Sequence, residues 1–346
     1  MKIAVIFGGL STERDISIKS GISVFNALKD LNHKPLLVDP ALGNEGFFHS
    51  LDEIADLPTL SSLDKNKYRI DKYLETIANP IFDEIEFAFI VLHGKYGEDG
   101  TIQTLFELKN IPYSGSNPKA SSIGMDKNLS KIIFIASGIP TPRWITLRAN
   151  ELDNFEICEE IRDDFGKKMV IKPNDQGSTF GTTIVMDGNL DEIYLGLKKA
   201  SEFSDIILVE RYIEGKEITV GIVGEEPLPV IEIIPQSGFY DFEHKYTKGK
   251  TEYVCPAELP SDVSELVQDI AMQVFNTIGC NGFARVDFRL TEDFQPFVLE
   301  INTIPGFTDT SLVPKAAKAK GIEFPELCQK IVDEGLEYFK RKNSIK

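Results

Sequence analysis

The sequence is short of the residues that build disulfide frameworks and transition-metal centres, with only 4 cysteines and 4 histidines in 346 residues. Cys158, Cys255, Cys280 and Cys328 lie far apart and form no pair at metal-ligand spacing, so they read as reduced thiols without assigned chemistry. His33, His49, His93 and His244 are equally scattered, which leaves no zinc site built from His and Cys. Any metal is therefore expected to take oxygen ligands. Positive charge is also scarce: 37 Lys and Arg against 54 Asp and Glu give a net charge of −17. That charge repels phosphate backbones, and with no basic stripe to offset it a nucleic-acid partner is disfavoured. No apolar run approaches the roughly 18 residues of a membrane helix. The opening Met1-Lys2-Ile3-Ala4-Val5 reads as a core strand rather than a signal, so a soluble, cytoplasmic chain with no membrane partner is expected.

What is present is an alternation of strands and helices. A buried-type strand over residues 2–7 leads through Gly8-Gly9 into a helix over 16–28, and further strands are expected at 34–39 and 87–92, giving a parallel α/β sheet. We divide the chain into an α/β unit at 1–118, a smaller α+β unit at 119–215 and a third unit at 216–346. The second holds helices at 118–125 and 127–137 and strands at 144–147, 169–172, 183–186 and 206–210, with a helix at 190–203. In the third, Val263, Leu266, Val267, Ile270, Val274 and Ile278 recur at helical spacing and are expected in the core. Residues 237–251, rich in Gly, Tyr, Lys and His with no clear period, read as a long loop, of a length that is usually either functional or disordered.

Two apolar strands near the C-terminus carry the sharpest chemical signal. Side chains alternate along a strand, so Arg285 and Asp287 share one face, as do Glu300 and Asn302. Two carboxylates and an amide suit magnesium, which completes its shell with nucleotide phosphates, while Arg285 remains for an anion. The competing reading is a solvated face laced with salt bridges. Lys172, at the end of a strand, precedes Gln176-Gly177-Ser178-Thr179, a loop able to wrap a phosphate but equally able to be a hairpin turn; it has no Walker ending. Glu210 and Glu217 flank a linker between units, where they could accept from an adenine amine and ribose hydroxyls or simply be solvated. Glu13 follows the first strand, where it could hold an ammonium group or favour a helix dipole. The glycine spacing there is not that of a dinucleotide fold, which disfavours an oxidoreductase. His93 through Gly100 holds three glycines in eight residues after another apolar strand, and Pro305-Gly306 directly follows the second strand of the pair.

In this order, Ser11-Thr12-Glu13-Arg14, His93-Gly94, Gly97-Glu98-Asp99-Gly100, Met125-Asp126-Lys127, Gly177-Ser178, Lys245-Tyr246, Arg285-Val286-Asp287, Glu300-Ile301-Asn302-Thr303 and Pro305-Gly306 resemble the D-alanine-D-alanine ligase family of the ATP-grasp superfamily over nearly the whole chain. The resemblance implies a three-domain ATP-grasp fold, α/β and α+β, with a parallel-sheet domain first. It implies ATP between the second and third domains. Lys127 and Lys172 would meet its phosphates, Glu210 and Glu217 its adenine and ribose, and Gln176, Gly177, Ser178, Thr179, Arg211, Ile213, Lys245 and Glu300 would complete the nucleotide site. Asp287, Glu300 and Asn302 would hold two magnesium ions, with manganese able to substitute. Glu13, His93, Arg285, Asn302, Gly306, Ser311 and Leu312 would bind D-alanine, and Glu13, Ser178, Tyr246, Arg285 and Gly306 would act in catalysis. The implied reaction joins two D-alanines through an acyl phosphate, with release of ADP, for peptidoglycan synthesis; a homodimer is implied likewise. The alternative is the same chemistry with D-serine or D-lactate as second substrate, although Tyr246 stands where makers of D-lactate esters carry phenylalanine. Thr310 departs from the family's usual histidine and Thr104 from a smaller residue, and the segment 41–80 is longer than in compact relatives. A nucleotide-binding regulator without turnover would be expected to lack a metal ligand or the arginine, and none is missing.

Overall fold

The computed structural model describes residues 1–152, 155–236 and 251–344. The first sheet has the order β3-β2-β1-β4, from β1 (Lys2–Ile6), β2 (Lys34–Val38), β3 (Phe47–Phe48) and β4 (Phe87–Ile90). β1 runs parallel to both β2 and β4, as the apolar runs predict, and the short β3 adds an antiparallel edge. Its opening helix, Arg14–Asp30, starts two residues earlier than the periodicity indicates. The long 41–80 segment is folded onto this unit: Leu42, Ile54, Tyr68, Tyr73 and Ile77 are buried in its core.

The second sheet, β5-β8-β6-β7, is wholly antiparallel and comprises β5 (Trp144–Arg148), β6 (Met169–Pro173), β7 (Thr183–Val185) and β8 (Ile206–Arg211). Strand alternation sorts its faces. Met169, Ile171, Ile207 and Val209 bury against the helices Glu156–Phe165 and Leu190–Ser201. Val170, Lys172 and Glu210 turn the other way, into a cleft.

The third sheet runs β12-β11-β9-β13-β14, with β10 (Glu226–Pro227) paired to β9 (Lys216–Val223). β11 is Ile231–Pro235, β12 Thr251–Val254, β13 Phe283–Leu290 and β14 Pro296–Asn302. Ala284, Val286, Phe288 and Leu290 enter the core, which leaves Arg285, Asp287 and Arg289 facing the cleft. β14 breaks simple alternation. The register shifts between Asp287/Glu300 and Phe288/Val298, so Leu299 is an extra residue. The bulge lets Val298 bury in the core while Leu299 and Glu300 both face the cleft; without it Val298 and Glu300 would share a face.

The two helices Pro118–Met125 and Lys127–Ala136 follow the boundary drawn at residue 118, but Ala120, Ile123, Ile133 and Phe134 pack into the core of the third sheet. The strands of the second unit gather around a separate core. Of the helical repeat expected in the core, Val263, Val267, Ile270, Val274 and Ile278 are buried, but Leu266 is 45% exposed. It sits one residue, about 100° of helix, off that stripe. Residues 237–250, the bulk of the expected loop, lie outside the described residues.

Beneath the Gly8-Gly9 turn, Arg14 Nη1 pairs with Asp39 Oδ2 at 2.8 Å with neither side chain exposed. The same nitrogen donates to the Gly9 carbonyl at 2.6 Å, Arg14 Nε donates to the Pro58 carbonyl at 3.0 Å, and the guanidinium lies 4.7 Å from the centre of the Tyr68 ring. Asp39 accepts from the amides of Gly9 and Ala41. Burial raises the Asp39 pKa despite the attraction of Arg14, so this carboxylate depends on its partner. Arg14→Ala is expected to destabilise the protein by about 3–5 kcal/mol, because it strands a buried carboxylate. Urea unfolding checks this; a loss under about 1 kcal/mol would assign the pair no more weight than a surface ion pair.

Candidate functional site

The second and third sheets face one another across a cleft of about 430 Å³. Sequence alone nominated many of its walls: Lys127, Lys172, Gln176, Gly177, Thr179, Glu210, Arg211, Ile213, Glu217, Arg285, Asp287 and Glu300 all line it. A smaller hollow beside it adds Asn302 and Thr303 to Lys127, Gly177 and Glu300.

Asp287, on the third-sheet wall, accepts four hydrogen bonds. Arg285 grips it through two hydrogen bonds, Nε to Oδ1 at 2.8 Å and Nη2 to Oδ2 at 2.7 Å. Thr219 donates its hydroxyl to Oδ1 at 2.6 Å, and Asn302 donates Nδ2 to Oδ2 at 3.0 Å. The pairing of β13 with β14 explains the convergence, since Arg285 lies opposite Asn302 and Asp287 opposite Glu300. Glu300 is paired with Lys127 at 3.3 Å. Asp287, Glu300 and Asn302 offer only oxygen from carboxylate and amide groups, a donor set that fits a hard divalent cation such as magnesium. Among the described residues no cluster of three His, Cys, Asp or Glu side chains forms, so the set depends on its asparagine.

On the other wall Lys172 Nζ donates to Glu210 Oε1 at 2.7 Å, and Lys131 Nζ approaches Oε2 at 3.0 Å. Burial disfavours the Glu210 charge, but the two lysines outweigh it and hold the carboxyl below its ordinary pKa. Lys127 Nζ also donates to the Gln176 carbonyl at 2.7 Å, so one cation spans from the glycine loop to Glu300. The Gln176 side chain donates to the Phe203 carbonyl, which anchors the loop's start. Ser178 and Thr179 then both adopt left-handed backbone, φ 49° and 63°. Such a conformation is uncommon outside glycine and asparagine, and here it belongs to a loop whose Ser178 hydroxyl donates to Glu13 Oε1.

Glu13 is thereby drawn from the first unit onto the loop of the second. It is 7% exposed and lies between two glycines: a Cβ at Gly177 would come within 2.6 Å of Glu13 Oε2, and one at Gly94 within 2.9 Å. Ser11 orders the same turn by accepting from the Glu13 amide and donating to the His93 carbonyl. His93 is interior. Its Nδ1 lies 3.0 Å from the Ile304 carbonyl, its Nε2 lies 3.0 Å from the Ser20 hydroxyl, and Ser20 in turn accepts from the Phe307 amide at 3.3 Å. Burial would lower the His93 pKa, but Glu98, with Glu13 and the Ile304 carbonyl, raises it above the ordinary value. This histidine thus ties the first unit to the turn carrying Gly306. Beyond that turn Thr308 donates its amide to Ser311 Oγ at 3.0 Å, and Ser311 precedes the helix Leu312–Ala319. Gly306, Ser311 and Leu312 do not line the cleft; they sit on this adjoining loop, and Leu312 packs against the first unit's core. Lys245 and Tyr246 lie outside the described residues.

The family model described as "D-ala D-ala ligase N-terminus" matches residues 2–116, and "D-ala D-ala ligase C-terminus" matches residues 133–333. The chain belongs to the D-alanine–D-alanine ligase family. Curated relatives include the D-alanine–D-alanine ligases of Syntrophotalea carbinolica, 41% identical over 96% of this chain and 95% of that protein, and of Magnetococcus marinus, 41% identical over 96% of each. Among solved structures, the Bacillus anthracis ligase complexed with ATP aligns with TM-score 0.76 and 33% identity over 99% of both chains. The Coxiella burnetii ligase aligns with TM-score 0.79 and 26% identity over 100% of this chain and 96% of that one. The fold is that of the ATP-grasp ligases, with the parallel sheet first.

Sequence reasoning passed over four side chains that organise the site. Lys131 and Thr219 brace Glu210 and Asp287, Ser20 links His93 to Phe307, and Arg289 binds the linker through the carbonyls of Ile213 and Gly215 and reaches Glu217 at 3.5 Å. Alternation could have flagged Thr219 and Arg289, which share the polar faces of their strands. Lys131 sits in an amphipathic helix and Ser20 in a covered one, where no local pattern separates them from solvated residues. Gly177→Ala is expected to push Glu13 off Ser178 and cut family-type ligase turnover about 10²-fold, the order of loss for a displacement near 1 Å, with little change in thermal stability. Turnover within threefold of wild type, as an order-of-magnitude bound, would show that the Glu13–Ser178 contact is dispensable.

Proposed function

We propose that the protein joins two D-alanines to D-alanyl-D-alanine at the expense of ATP, as a cytoplasmic step of peptidoglycan precursor synthesis. One observation carries the reading: a cleft whose one wall presents Lys127 and Lys172 and whose other presents Asp287, Glu300 and Arg285. Two lysines on one wall, with carboxylates and an arginine on the other, suit a metal-bound triphosphate. The activity named for its relatives supplies the substrate.

ATP would lie in the cleft, with Lys127 and Lys172 at its phosphates, the Gln176–Thr179 loop around them, and Glu210, Arg211, Ile213 and Glu217 toward adenine and ribose. Lys245 would cover the nucleotide. Asp287, Glu300 and Asn302 would hold two magnesium ions, or manganese, which supply charge neutralisation to the phosphate oxygens. Glu13 accepts the ammonium of the first D-alanine, and His93 keeps the Gly306 turn beside it. The carboxylate of that D-alanine attacks the γ-phosphorus, the bond to the ADP oxygen breaks, and an acyl phosphate and ADP result. The amine of the second D-alanine, its carboxylate held at Ser311 and Leu312, then attacks the acyl carbon. A tetrahedral intermediate loses phosphate as the C–N bond is retained and the amine gives up its proton, for which Tyr246, Ser178 and Glu13 form the proposed hydrogen-bonded route. Arg285 and the Gly306 amide would stabilise the developing oxyanion. Catalysis of this kind is chiefly positioning and charge stabilisation. A homodimer follows from family likeness alone.

An ADP-release assay with D-alanine, D-serine, D-lactate and L-alanine is expected to show magnesium-dependent release with D-alanine and an amide dipeptide product by mass. Release that ignores D-alanine, or a D-lactate ester as main product, would sink the assignment. Arg285→Ala is expected to lower kcat by about 10²–10³, the usual weight of an oxyanion donor, while ATP affinity largely survives. An equal loss in ATP affinity would instead place the weight of Arg285 on nucleotide binding, directly or through its grip on Asp287.

A further inference from the structure

Lys131 lies behind the cleft wall, fully buried, and no role follows for it from the sequence. Its Nζ is 3.0 Å from Glu210 Oε2, donates to Thr141 Oγ1 at 2.7 Å and to the Pro142 carbonyl at 3.4 Å, and stands 5.5 Å from the centre of the Trp144 ring. On the far side of the same carboxylate, Lys172 Nζ donates to Oε1 at 2.7 Å. Two cations therefore share one anion. Only one of the two, Lys172, lines the cleft.

We propose that Lys131 is a positioning residue that neutralises Glu210 from behind, leaving the charge of Lys172 uncompensated and available to a nucleotide phosphate. The inference rests on the reading of Lys172 as a phosphate ligand. Its physical basis is the cost of separating a buried ion pair. With Glu210 satisfied by Lys131, Lys172 can turn to an anion without stranding a carboxylate; with Lys131 absent, Glu210 and Lys172 close into a neutral pair that a phosphate must break. Pairing of Trp144 with Glu210 across β5 and β8 sets the ring and the carboxylate side by side, so the strand register itself builds the pocket for Lys131.

Lys131 also carries a signature in pH. The charged groups facing it are Glu210, Lys172 and Glu300; burial lowers its pKa to about 8, with Glu210 opposing the shift. Its charge is present below that pH and is lost as pH rises through it. The unfolded lysine titrates higher, so over this interval the unfolded chain binds more protons and the contribution of Lys131 to stability rises with pH. Nucleotide affinity is expected to move the opposite way, which separates positioning from a merely structural role.

The test is calorimetric titration of full-length wild type, Lys131→Met and Lys131→Arg with magnesium and ATP at pH 7 and pH 9, with kcat and the KM values for ATP and D-alanine measured alongside. Lys131→Met is expected to raise the Kd for ATP about tenfold or more, the effect of one charged hydrogen bond, with the KM for D-alanine unchanged. Wild type should bind ATP more weakly at pH 9 than at pH 7, and Lys131→Arg, which keeps its charge at both, should not. A Lys131→Met protein with wild-type ATP affinity overturns the inference. If that variant does not fold, Lys131→Arg decides: a pH response equal to that of wild type overturns it as well. A wild-type protein that binds no ATP removes the nucleotide reading itself, a separate outcome from wild-type binding that is insensitive to Lys131.

Discussion

The site depends on one irregularity in a strand pair. β13 keeps strict alternation, so its apolar residues enter the core and Arg285, Asp287 and Arg289 face the cleft. β14 could not serve both sides under the same rule, because Val298 and Glu300 are two residues apart. The bulge at Leu299 changes the parity between them, and Val298 is buried while Glu300 faces Asp287. An apolar core and a polar site are thereby satisfied by residues two apart on one strand. The hydrogen bonds that Asp287 accepts from Arg285, Thr219 and Asn302 then fix the carboxylate in place before any ligand arrives.

Charge is arranged locally, so even so acidic a chain presents cations in its cleft. The net charge of −17 acts over the whole surface, where water and salt screen it. Inside the cleft the local arrangement prevails: Lys127 bridges Glu300 and the Gln176 carbonyl, and Lys172 and Lys131 share Glu210. In a low-dielectric wall these nearby charges outweigh the distant excess of carboxylates.

The three units are joined by polar ties rather than by packing alone. Glu13 of the first meets Ser178 of the second, and His93 with Ser20 holds the Ile304–Phe307 turn of the third. The helices 118–125 and 127–136 make the boundary between second and third units a shared one, since they pack on the third sheet while Lys127 and Asn128 bond to Asn174 at the end of β6. A site assembled from all three units is held in register by such cross-ties.

Alternation and periodicity sufficed, in the sequence, for the parallel first sheet and for the shared faces of Arg285 with Asp287 and Glu300 with Asn302. These are local properties, fixed by the two-residue repeat of a strand and the 3.6-residue repeat of a helix. Family resemblance added the grouping of Lys127, Lys172, Gly177 and Glu210 around one cleft. What periodicity could not supply was anything arising from contact between distant segments: the parity change at Leu299, the exposure of Leu266, the packing of 118–136 onto the third sheet, and the roles of Lys131, Thr219, Ser20 and Arg289. A buried lysine and a solvated one look alike in sequence. Which it becomes is decided only when Trp144, Thr141 and Glu210 close around it.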